Sequence, residues 1–141
     1  APAKLLPPEA YQLCHLMTPN ELETEVLVGF RPTNQAEAAQ AAEILRARGV
    51  ETAVIKLGAQ GVYYQSAAES GFVEPFTVKS VDTVAAGDAF NGGLAVALSE
   101  GKPLAEAIRW GAAAGALATT KPGASSAMPT RTELAQLLAR N

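Results

Sequence analysis

The sequence predicts an α/β fold in which a sheet is covered by helices, and three observations carry that expectation. Short runs rich in β-branched and aromatic residues fall between Leu13 and Val78 and alternate with two helical segments. From Ala86 onward the apolar spacing is helical throughout. Ala supplies 29 of the 141 residues while only 6% are aromatic, so the apolar content lies in small side chains that favour closely packed helices over a large aromatic pocket. The length fits one compact domain and argues against two full-sized ones.

The elements follow in order. Pro2, Pro7 and Pro8 forbid regular structure over residues 1–9, so the first ordered element, a strand, is expected near Tyr11 to Met17. Thr18-Pro19 stops it, and Asn20 caps a helix over about 21–28 that Gly29 closes. Asn34 is a second cap, with Glu37 at the third helical position of a helix running to Gly49. Thr52 to Leu57 reads as a strand, and Gly61 to Gln65 as its antiparallel partner across a turn at Ala59-Gln60. Phe72-Val73 and Phe76 to Val78 read as short strands, with Pro75 between them confining them to an edge. Three helices complete the chain, over about 87–99, 103–119 and 131–139; Gly101 and Gly123 close the first two, and Thr130 with Glu133 forms a capping box for the third.

Charge and composition exclude several function classes. With 11 Lys and Arg against 14 Asp and Glu, a net charge of -3 and no basic run, there is no electrostatic footprint for nucleic acid or an anionic membrane. A small-molecule partner is expected instead. Cys14 and His15 are the sole residues of their kinds, so a disulfide framework is impossible and a His/Cys zinc site has too few ligands. His15 lies in the apolar run Leu13 to Met17, where a strand-end side chain is a better reading than a catalytic one. Neither a bilayer-spanning run nor a basic leader is present, and the expected location is cytoplasmic. The phosphate-binding lysine loop of Walker-type NTPases and the G-x-G-x-x-G of dinucleotide enzymes are both absent.

Chemistry concentrates between Val81 and Gly93. A helix starting at Ala86 presents unpaired backbone N–H groups and the positive end of its dipole, and Ala85, Ala86 and Gly87 leave room for an anion to approach. Asp88, beside that anion, could accept the proton of an alcohol attacking a terminal phosphate; equally, it could serve only the helix dipole. Gly92 and Gly93 cost about 1 kcal/mol each inside a helix, which points to close approach by a ligand or to tight helix packing.

The run Asp82-Thr83-Val84-Ala85-Ala86-Gly87-Asp88-Ala89-Phe90 resembles the second signature of the ribokinase-like carbohydrate kinase family. Thr18-Pro19-Asn20-Glu21-Leu22-Glu23 is similar to the family's Asn-x-x-Glu element, and Lys56-Leu57-Gly58-Ala59-Gln60-Gly61 to its nucleotide-contacting loop. The three lie at fitting separations, so the resemblance covers nearly the whole chain. It implies the C-terminal part of a ribokinase-like sandwich, with a mostly parallel sheet, helices over it and a small antiparallel hairpin. It further implies transfer of a phosphoryl group from ATP to a sugar hydroxyl, ribose to ribose 5-phosphate being the expected case. Asp88 would be the base, and the Ala86, Gly87 and Asp88 amides the anion hole. Asn20, Glu23, Lys56, Gly58, Gly61, Gly87, Asp88 and Ala112 would contact nucleotide, with Glu23 acting on Mg2+ through water. A K+ site is implied at Asp82 with the carbonyls of Val84, Ala118, Lys121 and Gly123. Ala127 stands where family members carry Ser, and Ala112 where they can present His near the adenine.

From the residues alone, Asn20 and Glu23 form a capping box, and Gly58 and Gly61 a hairpin turn needing positive φ. Family members have roughly twice the length, so the resemblance implies that residues 1–141 are the nucleotide-binding and catalytic portion of one domain, without the N-terminal portion that carries the sugar contacts and lid. The partners it implies are ATP, a sugar and that missing half, with a homodimer of the full-length protein as one assembly it allows. The competing expectation is a noncatalytic α/β interaction or regulatory module.

Overall fold

The computed structural model describes residues 6–122 and 129–140. The chain divides into two compact units, Ala1–Glu74 and Pro75–Asn141. The first contains α1 (Pro8–Gln12), β1 (Leu16–Met17), α2 (Glu21–Val28), α3 (Gln35–Ala47), β2 (Thr52–Lys56), a 3-10 turn at Gly58–Gln60, β3 (Val62–Gln65) and β4 (Ser70–Val73). Its sheet has the order β1-β2-β3-β4. β1 runs parallel to β2, with Leu16 opposite Thr52, and the β2–β3 and β3–β4 pairs are antiparallel, with Val54 opposite Tyr64 and Tyr63 opposite Phe72.

The strand pattern explains where this core sits. Ala53, Ile55 and Leu57 alternate onto one face, and Val54 between them is buried as well. Helix α3 offers a stripe of Ala38, Ala41, Ala42 and Leu45, spaced as one helical face, to the same cluster as Ala53, Ile55 and Leu57. Three of its four members are alanines, so the helix backbone can approach the strands closely. Asn34 caps this helix as expected, its side chain accepting from the Glu37 N–H at 2.9 Å. Gly29, at φ 93°, ends α2.

Three expectations need correction here. Tyr11 belongs to a helical turn, because Pro8 occupies the first helical position, where a missing N–H costs nothing; the strand is only Leu16–Met17. The described sheet is mixed, with one parallel and two antiparallel pairings, so the parallel character implied by the resemblance is confined within these residues to β1–β2. Phe76 to Val78 forms no strand. Phe76 is instead buried against Ala113, Leu134 and Leu137, beneath the Arg109 guanidinium at 5.3 Å.

The second unit is built on α4 (Ala86–Ser99), α5 (Leu104–Ala118) and α6 (Arg131–Arg140). Gly93 lets α4 and α5 touch. A Cβ there would stand 2.8 Å from Ala114 Cβ and 2.9 Å from the Trp110 carbonyl oxygen. Gly111 faces the Phe90 carbonyl in the same way at 2.9 Å, and Gly115 faces that of Ala86 at 3.1 Å. Of the two explanations open for Gly93, helix packing is therefore the one realised. At the far end, Thr130 and Glu133 make the expected capping box, with N–H to carboxylate and N–H to hydroxyl distances of 2.9 and 3.2 Å. Arg131 pairs with Glu100 through both guanidinium nitrogens and lies over the Trp110 ring, whose neighbourhood also holds Lys102. Gly101, at φ 78°, follows the end of α4 as expected, while Gly123 and Ala127 lie outside the described residues, as does Pro2.

Two consequences can be measured. Gly93→Val should lower stability by about 1–3 kcal/mol in urea unfolding, because backbone lies against the new methyls, whereas Ala95→Val on the exposed side of α4 should stay within about 0.5 kcal/mol. The Lys121 ammonium and the Thr130 amide hold the Glu133 carboxyl below the ordinary carboxylate range, and Arg131 does the same for Glu100. Both groups are depressed in the folded state, so their contribution is present at neutral pH and lost as pH falls through their folded values. A Glu100→Gln/Glu133→Gln variant should accordingly lose less thermal stability than the parent when the pH is lowered below the ordinary carboxylate range.

Candidate functional site

The start of α4 is left open by its sequence. Ala85 at the N-cap provides no side-chain acceptor. The Ala86 N–H donates to the Thr83 carbonyl at 3.2 Å and the Ala89 N–H to that of Ala85 at 3.0 Å. Between them, the Gly87 and Asp88 N–H groups meet no acceptor among the described residues. Of the three amides expected to form an anion hole, that of Ala86 is therefore engaged and two adjacent ones are free. Asp88 lies exposed in this first turn, and its carboxylate has no hydrogen bond or ion pair among the described residues.

Asp82 is brought beside the end of α5 by backbone bonds. The Val81 and Asp82 N–H groups both donate to the Thr119 carbonyl, at 2.6 and 2.9 Å, and the Asp82 carboxylate accepts the Val84 N–H at 3.0 Å. Close to this crossing, Ala85, Ala89 and Ala118 form a small buried cluster, so the last turn of α5 abuts the first turn of α4. The carbonyls of Val84 and Lys121 accept no hydrogen bond among the described residues, and that of Ala118 accepts only the long 3.4 Å contact from the Lys121 N–H. One carboxylate with under-used carbonyls is a hard oxygen donor set suited to an alkali cation. No cluster of three or more His, Cys, Asp or Glu that could hold a metal occurs among the described residues. Gly123, the remaining expected ligand, lies outside them.

The other expected contacts lie in the first unit. Asn20 and Glu23 form the capping box: the Glu23 N–H donates to Asn20 Oδ1 at 2.8 Å, and the Asn20 N–H donates to Glu23 Oε1 at 2.9 Å. The Asn20 amide nitrogen and the second Glu23 oxygen keep no partner among the described residues, so a structural and a ligand-binding role are compatible. The Lys56 N–H donates to the Pro19 carbonyl at 3.0 Å, which sets the β2 end beside this cap. Gly58, at φ 59°, has Glu21 Oε1 3.2 Å from where a Cβ would stand. Gly61, at φ 112°, is more constrained: the Val73 carbonyl oxygen lies 2.5 Å from that position, and the Phe72 ring is next to it. The expected two-residue turn at Ala59-Gln60 is thus a 3-10 turn framed by two glycines in left-handed conformations.

Other positions resolve simply. Ala112 is half-buried on α5 and packs towards the cluster of Phe76, Ala113, Leu134 and Leu137. His15 is 90% exposed and pairs with Glu51 at 2.6 Å. Sequence reasoning missed Thr119, whose carbonyl gathers the Asp82 turn, and the Lys121–Glu133 ion pair at 2.7 Å. A backbone acceptor leaves no signature in residue type, whereas Lys121 and Glu133, each beside a helix end, were readable in principle.

These features define an α/β protein in which two adjacent amides at a helix start are open and an exposed carboxylate stands in the same turn. The chain belongs to the pfkB family of carbohydrate kinases, which matches it over residues 2–131. It is 44% identical over 138 residues to the ribokinase of Haemophilus influenzae, an alignment covering 98% of this chain and 45% of that protein. The structure of Arabidopsis thaliana ribokinase complexed with ribose and ATP superposes with a TM-score of 0.87 at 31% identity, covering 96% of this chain and 44% of that one. Escherichia coli phosphofructokinase-2 in complex with potassium gives 0.81 at 30% identity, covering 94% and 43%. The chain thus spans under half the length of the relatives it matches, and its fold is that of the ribokinase-like proteins. No helix among the described residues is long and apolar enough to cross a membrane.

The two turn glycines should separate by substitution. Gly61→Ala, with backbone oxygen at 2.5 Å, should cost more than the roughly 1–2 kcal/mol that positive φ alone imposes, and Gly58→Ala should stay near that range; urea midpoints would rank them.

Proposed function

We propose that this chain is the nucleotide-binding and catalytic portion of an ATP-dependent sugar kinase whose sugar is ribose and whose product is ribose 5-phosphate. The observation that carries the proposal is the pair of free amides at Gly87 and Asp88 beside an unpartnered Asp88 carboxylate. In the reaction, the sugar hydroxyl oxygen bonds to the terminal phosphorus of ATP as the bond to the bridging oxygen breaks, and ADP leaves. Asp88 takes the hydroxyl proton. The two amides meet the negative charge on the non-bridging oxygens, in the direction of the α4 dipole.

The chain's other residues have supporting parts. Asn20 and Glu23 would turn their free atoms towards the triphosphate and its Mg2+, and Lys56, Gly58, Gly61 and Ala112 would be nucleotide contacts. The Mg2+ ion supplies charge neutralisation at the phosphates. Asp82 with the carbonyls of Val84, Ala118, Lys121 and Gly123 would hold K+, and the donor chemistry of the described members fits that ion. Sugar contacts would come from the additional length that the relatives carry. ATP dependence is consistent with a cytoplasmic location.

In protein extended to the length of its relatives, Asp88→Asn should leave ATP binding by calorimetry within a few-fold and lower kcat by about 10²–10⁴. Undiminished ribose phosphorylation would remove Asp88 from the role of base. For this chain by itself, Mg-ATP titration should give heat without ribose turnover. Neither binding nor turnover in either length would favour a noncatalytic module.

A further inference from the structure

Lys121 is held at two of its groups, in a turn that Thr119 also anchors. Its ammonium donates to Glu133 Oε1 at 2.7 Å, its N–H makes the 3.4 Å contact with the Ala118 carbonyl, and two residues earlier Thr119 anchors the Asp82 turn. Its carbonyl oxygen alone is left without a donor among the described residues. Glu133 is itself fixed, because the same Oε1 also accepts the Thr130 N–H at 2.9 Å and its own N–H donates to Thr130 Oγ1 at 3.2 Å. Both side chains are about two-thirds covered, 31% and 33% exposed, unlike the more open ion pairs of Arg31 with Glu25 and His15 with Glu51. The pair therefore joins the end of α5 to the first turn of α6, and the residue it immobilises is one whose carbonyl meets no donor among the described residues.

We infer that Glu133 is a positioning residue that, through Lys121, holds the Lys121 carbonyl in place for a monovalent cation bound with Asp82 and the Val84 and Ala118 carbonyls. This rests on the cation reading proposed above and adds a residue that touches no ligand. Outer partners of this kind set where a first-layer oxygen stands, and their removal typically weakens metal affinity by about 10–100-fold.

The test uses the 141-residue chain and the potassium ion as probe. Thermal unfolding is followed while KCl replaces tetramethylammonium chloride at constant ionic strength, and the potassium midpoint of the Tm increase is read. Glu133→Gln keeps an oxygen for the Thr130 N–H, since Gln also serves in capping boxes, but loses the ion pair. Lys121→Met removes the pair from the other side, Lys121→Arg retains it, and Glu100→Gln breaks an unrelated ion pair in the same unit. The expected result is a midpoint raised about tenfold or more in Glu133→Gln and Lys121→Met, restored in Lys121→Arg, and unchanged in Glu100→Gln even where its Tm is lower. A potassium-specific gain with an unshifted midpoint in Glu133→Gln overturns the positioning role and leaves the cation site standing. Absence of any potassium-specific gain in the parent chain overturns both. Should Glu133→Gln not fold, the Lys121→Met and Lys121→Arg pair decides by the same midpoint.

Discussion

The approach of α4 to α5 governs what the second unit can present. Gly93, Gly111 and Gly115 let the two backbones approach: where their Cβ atoms would stand lie the Trp110, Phe90 and Ala86 carbonyl oxygens, with the Ala114 Cβ also against Gly93. Because Gly115 sits against the Ala86 carbonyl, the first turn of α4 is located by the last turns of α5. The Thr119 carbonyl then fixes Val81 and Asp82, so the turn entering α4 is held at both ends. The first-turn amides of Gly87 and Asp88 lack intrahelical acceptors as at any helix start, and this packing fixes where they stand.

A second principle recurs at the helix starts. Where the sequence supplies Asn or Thr with an acidic residue three positions on, as at Asn20, Asn34 and Thr130, side chains satisfy the first amides. At Ala85, as at Pro103 before α5, it supplies none, and no side chain caps the first turn. On the reading proposed above, the phosphate chain of the nucleotide would stand where the side-chain cap is missing at Ala85.

Much of this was legible beforehand because it depends on local chemistry. The three caps, the Gly29 and Gly101 stops, the β2–β3 hairpin and the extents of α4, α5 and α6 rest on residues within a few positions of one another. What escaped depends on partners distant in sequence. Phe76 has the composition of a strand residue, but its burial against Leu134 and Leu137 decides its place. The prolines before Tyr11 break structure in general, yet Pro8 at a first helical position starts it. Gly93 could not be assigned between ligand and helix until Ala114 and Trp110 were seen beside it. Engagement of the Ala86 amide by Thr83 is a matter of turn geometry that no residue type encodes.

The reciprocal bonds between Asn20 and Glu23 have a bearing on how tightly a ligand could be held. Each side chain is already confined by the other's backbone amide, so its rotational freedom is spent on folding and little remains to be lost on association. A flexible Asn and Glu at the same points would surrender that freedom at each encounter with a small molecule. On the reading proposed above, the helix cap would double as preorganisation for the ligand.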